Sequence, residues 1–200
     1  MKPGPAAFCL LLAACDLQAP LGKAVPYSPL VPDPVLVTMP GNAPFISQEF
    51  APRQTSTPYA HYGIDIRARA GTPVIAAAPG VVVAAFTEPM HGRQVHLSHG
   101  TDQDGMRILT TYHHLQSIDV SVGDKLARGD RVGAMGASGL SAGAQVHLHF
   151  EVRRGPTRAK ARPVDPHLFW ADGTGKVTCL RKDQAYDANP IRLTYPVPCR

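Results

Sequence analysis

The sequence predicts a mainly β protein: a single antiparallel β-sheet domain with short loops and few helices. Three observations predict it. First, Val146-His147-Leu148-His149-Phe150-Glu151-Val152 alternates apolar and polar residues, the pattern of a strand with one buried face. Second, Thr72 to Ala76, Gly80 to Phe86, Gln94 to Ser98, Ile108 to Tyr112 and Arg131 to Met135 read as further short strands, with glycines between them as turn signals. Third, no stretch of good length carries apolar residues at helical spacing. A chain of 200 residues with 44% hydrophobic content can bury one core of this kind.

Taken in order, the chain begins with a segment that is not part of the fold. Met1-Lys2 supplies one charge, Ala6 to Ala14 is an apolar run, and Cys15 follows. The run is too short to span a bilayer as a mature helix, so residues 1–14 read as a secretion signal. Leu12-Ala13-Ala14-Cys15 resembles the lipobox of bacterial lipoproteins. The resemblance implies cleavage before Cys15, which becomes the lipid-modified first residue and anchors the protein to a membrane. Asp16 resembles an inner-membrane retention signal of some Gram-negative bacteria. The other reading is an ordinary signal peptide cut near Ala19. Loss of Lys2 takes the formal charge from +5 to +4, because one of 20 basic residues and none of the 15 acidic ones goes. That mild excess suits an acidic cell-wall polymer or an anionic lipid surface. No basic run and no nucleic-acid motif is present, so a nucleic-acid partner is not expected.

Residues 15–44 carry recurrent prolines (Pro20, Pro26, Pro29, Pro32, Pro34, Pro40, Pro44), which makes them an extended, semi-stiff tether. A strand-bearing extension packed on the domain stays open for Val35 to Thr38. The domain proper is expected over 45–170. Within it Val122 to Leu126 and Arg128 to Val132 look like two turn-then-strand units. Pro163-Val164-Asp165-Pro166 closes it, with Leu168-Phe169-Trp170 packing back. Residues 171–200 form a C-terminal tail. Of four cysteines, Cys9 leaves with the signal and Cys15 takes the lipid. Cys179 and Cys199 remain, a pair that forms a disulfide outside the cytosol and pins the strand-like Ile191 to Tyr195. A loop of that length stabilises by roughly 3 kcal/mol. The alternative is two free thiols.

The chemistry lies in the histidines. In a strand His147 and His149 share a face, opposite the apolar residues between them. Such a pair can supply one metal ligand and one proton-handling group, or it can be a solvated face. His61-Tyr62-Gly63-Ile64-Asp65 puts an imidazole and a carboxylate on one face of an extended chain, a donor set that suits Zn²⁺. One histidine of the strand pair added to His61 and Asp65 makes three ligands. Three leave a position open, the mark of a catalytic rather than a structural zinc site.

His61-x-x-x-Asp65, Tyr112-x-His114-Leu115 and His147-x-His149-Phe150-Glu151 together resemble the lysostaphin/LytM-type zinc endopeptidases, which cut peptide cross-bridges of bacterial peptidoglycan. The resemblance runs from about Phe45 to Phe169 and includes Gly71-Thr72-Pro73-Val74, Val122-Gly123-Asp124 and Val164-Asp165-Pro166. It implies one zinc held by His61, Asp65 and His149, with His114 and His147 as catalytic histidines beside it. His113, expected to point away from His114, receives no role. His91, His96, His99 and His167 read as surface or locally bonded, and Tyr112 as a packing residue. One departure stands out: the family reaches its H-x-H strand two residues after a glycine, whereas Gly143-Ala144-Gln145-Val146-His147 inserts two more residues. The longer loop bears on substrate preference.

The resemblance implies hydrolysis of a peptidoglycan cross-bridge, D,D-endopeptidase action on diaminopimelate-type stems, in a lipoprotein of the cell envelope facing the periplasm. The alternative is a non-hydrolytic regulator of the same family that activates a cell-wall amidase; the complete histidine set argues against it. An amidase or division-complex partner stays open. A biotinyl or lipoyl carrier lacks its lysine at a hairpin tip, and a phosphotransfer domain does not fit the signal segment.

Overall fold

The alternation around His149 becomes the central strand of the molecule. The computed structural model describes residues 35–52, 60–187 and 190–200, all within one unit, Asp33–Arg200. The expected signal, Cys15 and residues 16–34 of the tether lie outside them. Among the described residues there are eleven short strands, three 3-10 turns and no α-helix. The first four strands are β1 (Ile46–Gln48), β2 (Ile64–Ile66), β3 (Pro73–Ile75) and β4 (Gly80–Glu88). There follow β5 (Gly92–Thr101), β6 (Arg107–Leu115), β7 (Ser117–Ile118) and β8 (Lys125–Leu126). The last three are β9 (Arg131–Ala134), β10 (Leu148–Gly155) and β11 (Arg162–Val164).

The main sheet runs β1-β2-β10-β6-β5-β4-β8, with β11 also on β10; a smaller sheet runs β3-β9-β7, and every pair is antiparallel. The β content expected from the sequence is thus divided between two sheets. Leu148, Phe150 and Val152 of β10 are fully buried, beside Ile64 and Ile66 of β2 and Tyr112 of β6. Each such side chain stabilises the fold by about 1.5–3 kcal/mol. The opposite face of β10 carries His149 and Glu151. Tight pairing of β2 on β10 needs the glycine inside the His61–Asp65 segment: a Cβ on Gly63 would lie 2.3 Å from the Phe150 carbonyl oxygen.

Two segments differ from expectation. Residues 35–44, expected to end the tether, dock on the domain. The Thr38 amide donates to the Gly175 carbonyl at 2.8 Å, and Val37, Met39 and Ala43 pack against the core. Residues 171–200 are not merely appended: Val177, Ile191, Leu193, Tyr195 and Val197 are buried in the same core as Trp170. Ile191 to Tyr195 forms no strand but a single parallel bridge, Trp170 to Leu193. Pro190 and Pro196 flank it and lack the amides a longer ladder needs. The segment is held instead through the Thr194 amide on the Ala77 carbonyl, at 2.8 Å, and through the Cys179–Cys199 disulfide.

Candidate metal centre

Four parts of the chain deliver the site. His61 sits on a single antiparallel bridge to Ala51 just before β2, Asp65 lies in β2, and His149 lies in β10 directly opposite Asp65. These are the three expected ligands, and the structure brings them together. His61 Nε2 is 3.0 Å from Asp65 Oδ1 and 3.0 Å from His149 Nδ1, while His149 Nδ1 is 2.8 Å from Asp65 Oδ1.

Hydrogen bonds on the far side of each ring decide what these atoms are. His61 Nδ1–H donates to the Glu49 carbonyl at 2.7 Å, so Nε2 carries only a lone pair. His149 Nε2–H donates to Glu151 Oε1 at 3.3 Å, leaving the Nδ1 lone pair free. Glu151 is held in turn by Arg153 Nη1 at 2.7 Å. Two nitrogen lone pairs and a carboxylate oxygen therefore face one another, an arrangement that repels unless a cation stands between them. Borderline nitrogen donors plus one carboxylate suit Zn²⁺. A carboxylate or a carbonyl behind each histidine is the usual support for a metal-ligating imidazole. The donor set fits.

Without a metal a proton takes the cation's place. Burial pushes the Asp65 carboxyl up, but the hydrogen bonds and positive charge of His149, and of His61 where it also carries a proton on Nε2, outweigh it and hold it far below the usual carboxylate range. Burial also disfavours a charged His149, yet Asp65 and Glu151 beside it raise its pKa to about 9. Glu151 behaves like Asp65: burial raises it, and the neighbouring rings and Arg153 bring it down to about 2. Metal binding must displace the proton on His149.

His114 and His147 lie on the other side of the cleft, their ring centroids 4.7 Å apart. Backbone carbonyls hold both. His114 Nδ1–H donates to the Ser138 carbonyl and His147 Nδ1–H to the Gln145 carbonyl, each at 2.9 Å. Each ring thus turns its Nε2 elsewhere, and His147 Nε2 stands 3.7 Å from Asp65 Oδ2. Burial lowers the His114 pKa to about 4, against the pull of the Ser138 carbonyl.

The backbone at His114 is left-handed, φ 62°. Strand alternation alone would send this ring to the core with Tyr112, and the left-handed turn takes it into the cleft instead. Such a conformation costs on the order of 1–3 kcal/mol. The same turn corrects the expectation for His113. It pairs opposite His149 across the sheet, so His113 and His114 lie on the same side, with ring centroids 6.3 Å apart. His113 is buried and donates or accepts at Thr111 Oγ1, 2.8 Å away, while its Nδ1 has no partner among the described residues. His113, His149 and Glu151 form a second converging set, which is buried and shares His149 with the first.

The cleft over these residues has a volume of about 280 Å³. Tyr62, His91 and Ser141 line it as well, and sequence reasoning missed all three. His91 enters because its carbonyl accepts the His114 amide at 3.1 Å. No motif marks it. Glu151 was quoted within its motif without a role; its spacing of two from His149 was the available signal. His99 and His167 are locally bonded as expected: His99 to the Pro79 carbonyl and Thr110, His167 to Glu49 and Trp170. Tyr112 packs on Phe150 and accepts from the Ala77 amide at 3.0 Å.

Comparison with known proteins gives the family. The model of peptidase family M23 matches residues 59–166, just over half of the chain. The cell division protein DipM of Caulobacter vibrioides is 40% identical over 108 residues, 53% of this chain and 17% of DipM. The peptidoglycan DD-endopeptidase ShyA of Vibrio cholerae is 36% identical over 118 residues, 57% of this chain and 26% of ShyA. The chain thus spans only about a sixth to a quarter of the length of these two relatives. Among solved structures, the catalytic domain of the prophage-encoded M23 protein EnpA from Enterococcus faecalis aligns with a TM-score of 0.53 and 27% identity, over 66% of this chain and 95% of that one.

Proposed function

The chain belongs to peptidase family M23, and on that premise we propose that it is a zinc-dependent endopeptidase that cuts D,D cross-bridges of bacterial peptidoglycan. The observation that carries the reading is the convergence of His61 Nε2, Asp65 Oδ1 and His149 Nδ1 within 3.0 Å, each offering a lone pair. The similarity to a peptidoglycan DD-endopeptidase supports the substrate.

His61, Asp65 and His149 would hold the ion. When bound, it supplies Lewis acidity, polarising a scissile carbonyl and making water a better nucleophile at neutral pH. The protein's own groups do the rest. Hydrolysis adds a water oxygen to the carbonyl carbon, breaks the C–N bond and requires a proton on the departing nitrogen. His114 and His147 are suited to move that proton and to bind the developing oxyanion. Backbone carbonyls fix both at Nδ1, which leaves Nε2 of each to accept a proton or, once protonated, to donate one. The cool pKa of His114 keeps the ring neutral and ready to accept.

Cys15 as a lipid anchor and the periplasmic face of the envelope belong to the same proposal. The Cys179–Cys199 disulfide supports an extracytosolic location, and intact mass at Cys15 tests the anchor. A second reading is favoured by the similarity to a cell division protein: a non-hydrolytic regulator of an amidase. Incubation of the zinc-loaded protein with purified sacculi separates the two. The endopeptidase reading predicts loss of cross-linked dimers from the muropeptide profile; undiminished dimers with zinc present contradict it, and faster amidase release in their place supports the regulator.

A further inference from the structure

A second cavity, of about 800 Å³, is lined by Arg67, Arg69 and Arg200 together with Ser47. Neighbouring residues of the same two segments line both spaces. Gln48 and Asp65 line the cleft, while Ser47 and Arg67 line the larger cavity. The antiparallel register Leu148 to Ile66, continued by one residue, sets Arg67 directly across from His147. On its other side Arg67 continues the pairing of β2 with β1, its amide donating to the Phe45 carbonyl at 3.0 Å. Arg67 follows β2 by one residue and stands two from Asp65, the spacing that keeps side chains on one face of an extended chain, and Arg69 leads into the turn at Gly71.

Two features build the pocket. Gln145, in the lengthened loop before His147, accepts a hydrogen bond from Arg67 Nη2, which orients the guanidinium. Arg200 follows the disulfide cysteine Cys199. Its amide donates to the Asn42 carbonyl at 2.9 Å and its carbonyl accepts from Asn42 Nδ2 at 2.6 Å, which fixes it on the rim. Among the described residues the arginines with carboxylate partners are Arg131, Arg153, Arg154 and Arg181. Arg67, Arg69 and Arg200 have none there. Three guanidinium groups without a side-chain carboxylate partner line one cavity, and each presents a planar fork that matches a carboxylate.

We propose that Arg67, Arg69 and Arg200 form a subsite for a free carboxylate of the substrate peptide. The inference rests on the peptidase reading above and adds what the pocket selects. Arg67 lies two strand residues from Asp65, about 7 Å along the chain. The carboxylate it meets therefore belongs about two residues from the bond presented to the cleft. Peptidoglycan stems are peptides that carry such free carboxylates. Gln145 and the longer loop then act on specificity.

The test is a binding titration of the zinc-loaded full chain with a monomeric stem tetrapeptide, which has no cross-bridge to cleave, as the free acid and as its carboxamide. The wild type is expected to bind the acid about tenfold more tightly, in line with a charge-assisted hydrogen bond at a partly exposed site, with the preference shrinking as salt rises. In the double variant Arg67→Gln, Arg69→Gln the ratio falls to about one. Equal binding of acid and amide by the wild type overturns the subsite. So does an unchanged ratio in a folded double variant, and so does inorganic phosphate that competes as well as the acid peptide. Sacculus cleavage is scored separately. Acid preference without cleavage upholds the subsite and refutes the hydrolase, and cleavage without acid preference does the reverse.

Discussion

His149 and His114 stand in the same cleft, ring centroids 6.1 Å apart, and their surroundings drive them in opposite directions. Both are buried, and burial alone favours the neutral ring in each. Carboxylates lie on either side of His149, Asp65 at Nδ1 and Glu151 at Nε2, and they carry its pKa to about 9. His114 has a backbone carbonyl at Nδ1, and its pKa stays at about 4. The partner therefore decides the job. An imidazole between carboxylates sits where positive charge is wanted, by a proton or by a metal ion. One held by a carbonyl is oriented and left neutral. His61 and His147, both held at Nδ1 by carbonyls, show that position matters too, since His61 still turns its free nitrogen to Asp65.

The sharpest way to break the comparison is to remove the carbonyl-held rings. His114→Ala and His147→Ala are each expected to cut turnover by about 10²–10⁴-fold while the protein keeps its zinc. Kinetics on sacculi beside metal analysis of the same samples checks this. A variant that loses its metal, or that turns over at the wild-type rate, makes the division of labour wrong. Next in size is the carboxylate behind His149. Glu151→Gln removes the charge but keeps the shape, and zinc affinity should fall by about 10–100-fold in a competition titration with a chelator. Unaltered affinity would mean that Glu151 serves only to bind Arg153.

The smallest effect concerns a histidine outside the cleft that has a carbonyl partner of its own. Burial lowers His99 from 6.5 to about 4, although the Pro79 carbonyl pulls the other way. Between those values the unfolded chain binds a proton that the folded chain does not. Stability is therefore whole above pH 6.5 and falls as pH drops toward 4, by on the order of 3 kcal/mol from this residue. Denaturant titrations across that window should show a flatter slope for His99→Gln than for the wild type. Identical slopes would show that a carbonyl partner does not leave a buried ring neutral.

Much of this architecture was legible in the residues because it is periodic. The alternation from Val146 to Val152 foretold which side chains of β10 enter the core, and spacings of four and two brought out His61–Asp65 and His147–His149. What escaped was set by backbone rather than pattern. Nothing in Tyr112-His113-His114 announces a left-handed residue, so the two histidines were assigned to opposite faces. His91 reaches the cleft by lending a carbonyl, and a carbonyl has no residue type. The docking of residues 35–44 and the burial of Ile191, Leu193, Tyr195 and Val197 were hidden for another reason. Their apolar residues alternate, Val35, Val37 and Met39 in one and Ile191, Leu193, Tyr195 and Val197 in the other, but the flanking prolines lack the amides that would extend a ladder and make either read as a core strand. The disulfide partners, Cys179 and Cys199, and the alternation from Ile191 to Tyr195 are the signals that tie the last segment to the domain.

The most direct test of the central claim is elemental analysis of gently purified protein, wild type beside Asp65→Asn. The account predicts about one zinc per chain in the wild type and close to none in the variant, since the amide withdraws the charged ligand that His61 and His149 converge upon. A folded wild type without affinity for any transition metal, or an Asp65→Asn protein that holds zinc as tightly as its parent, would contradict it.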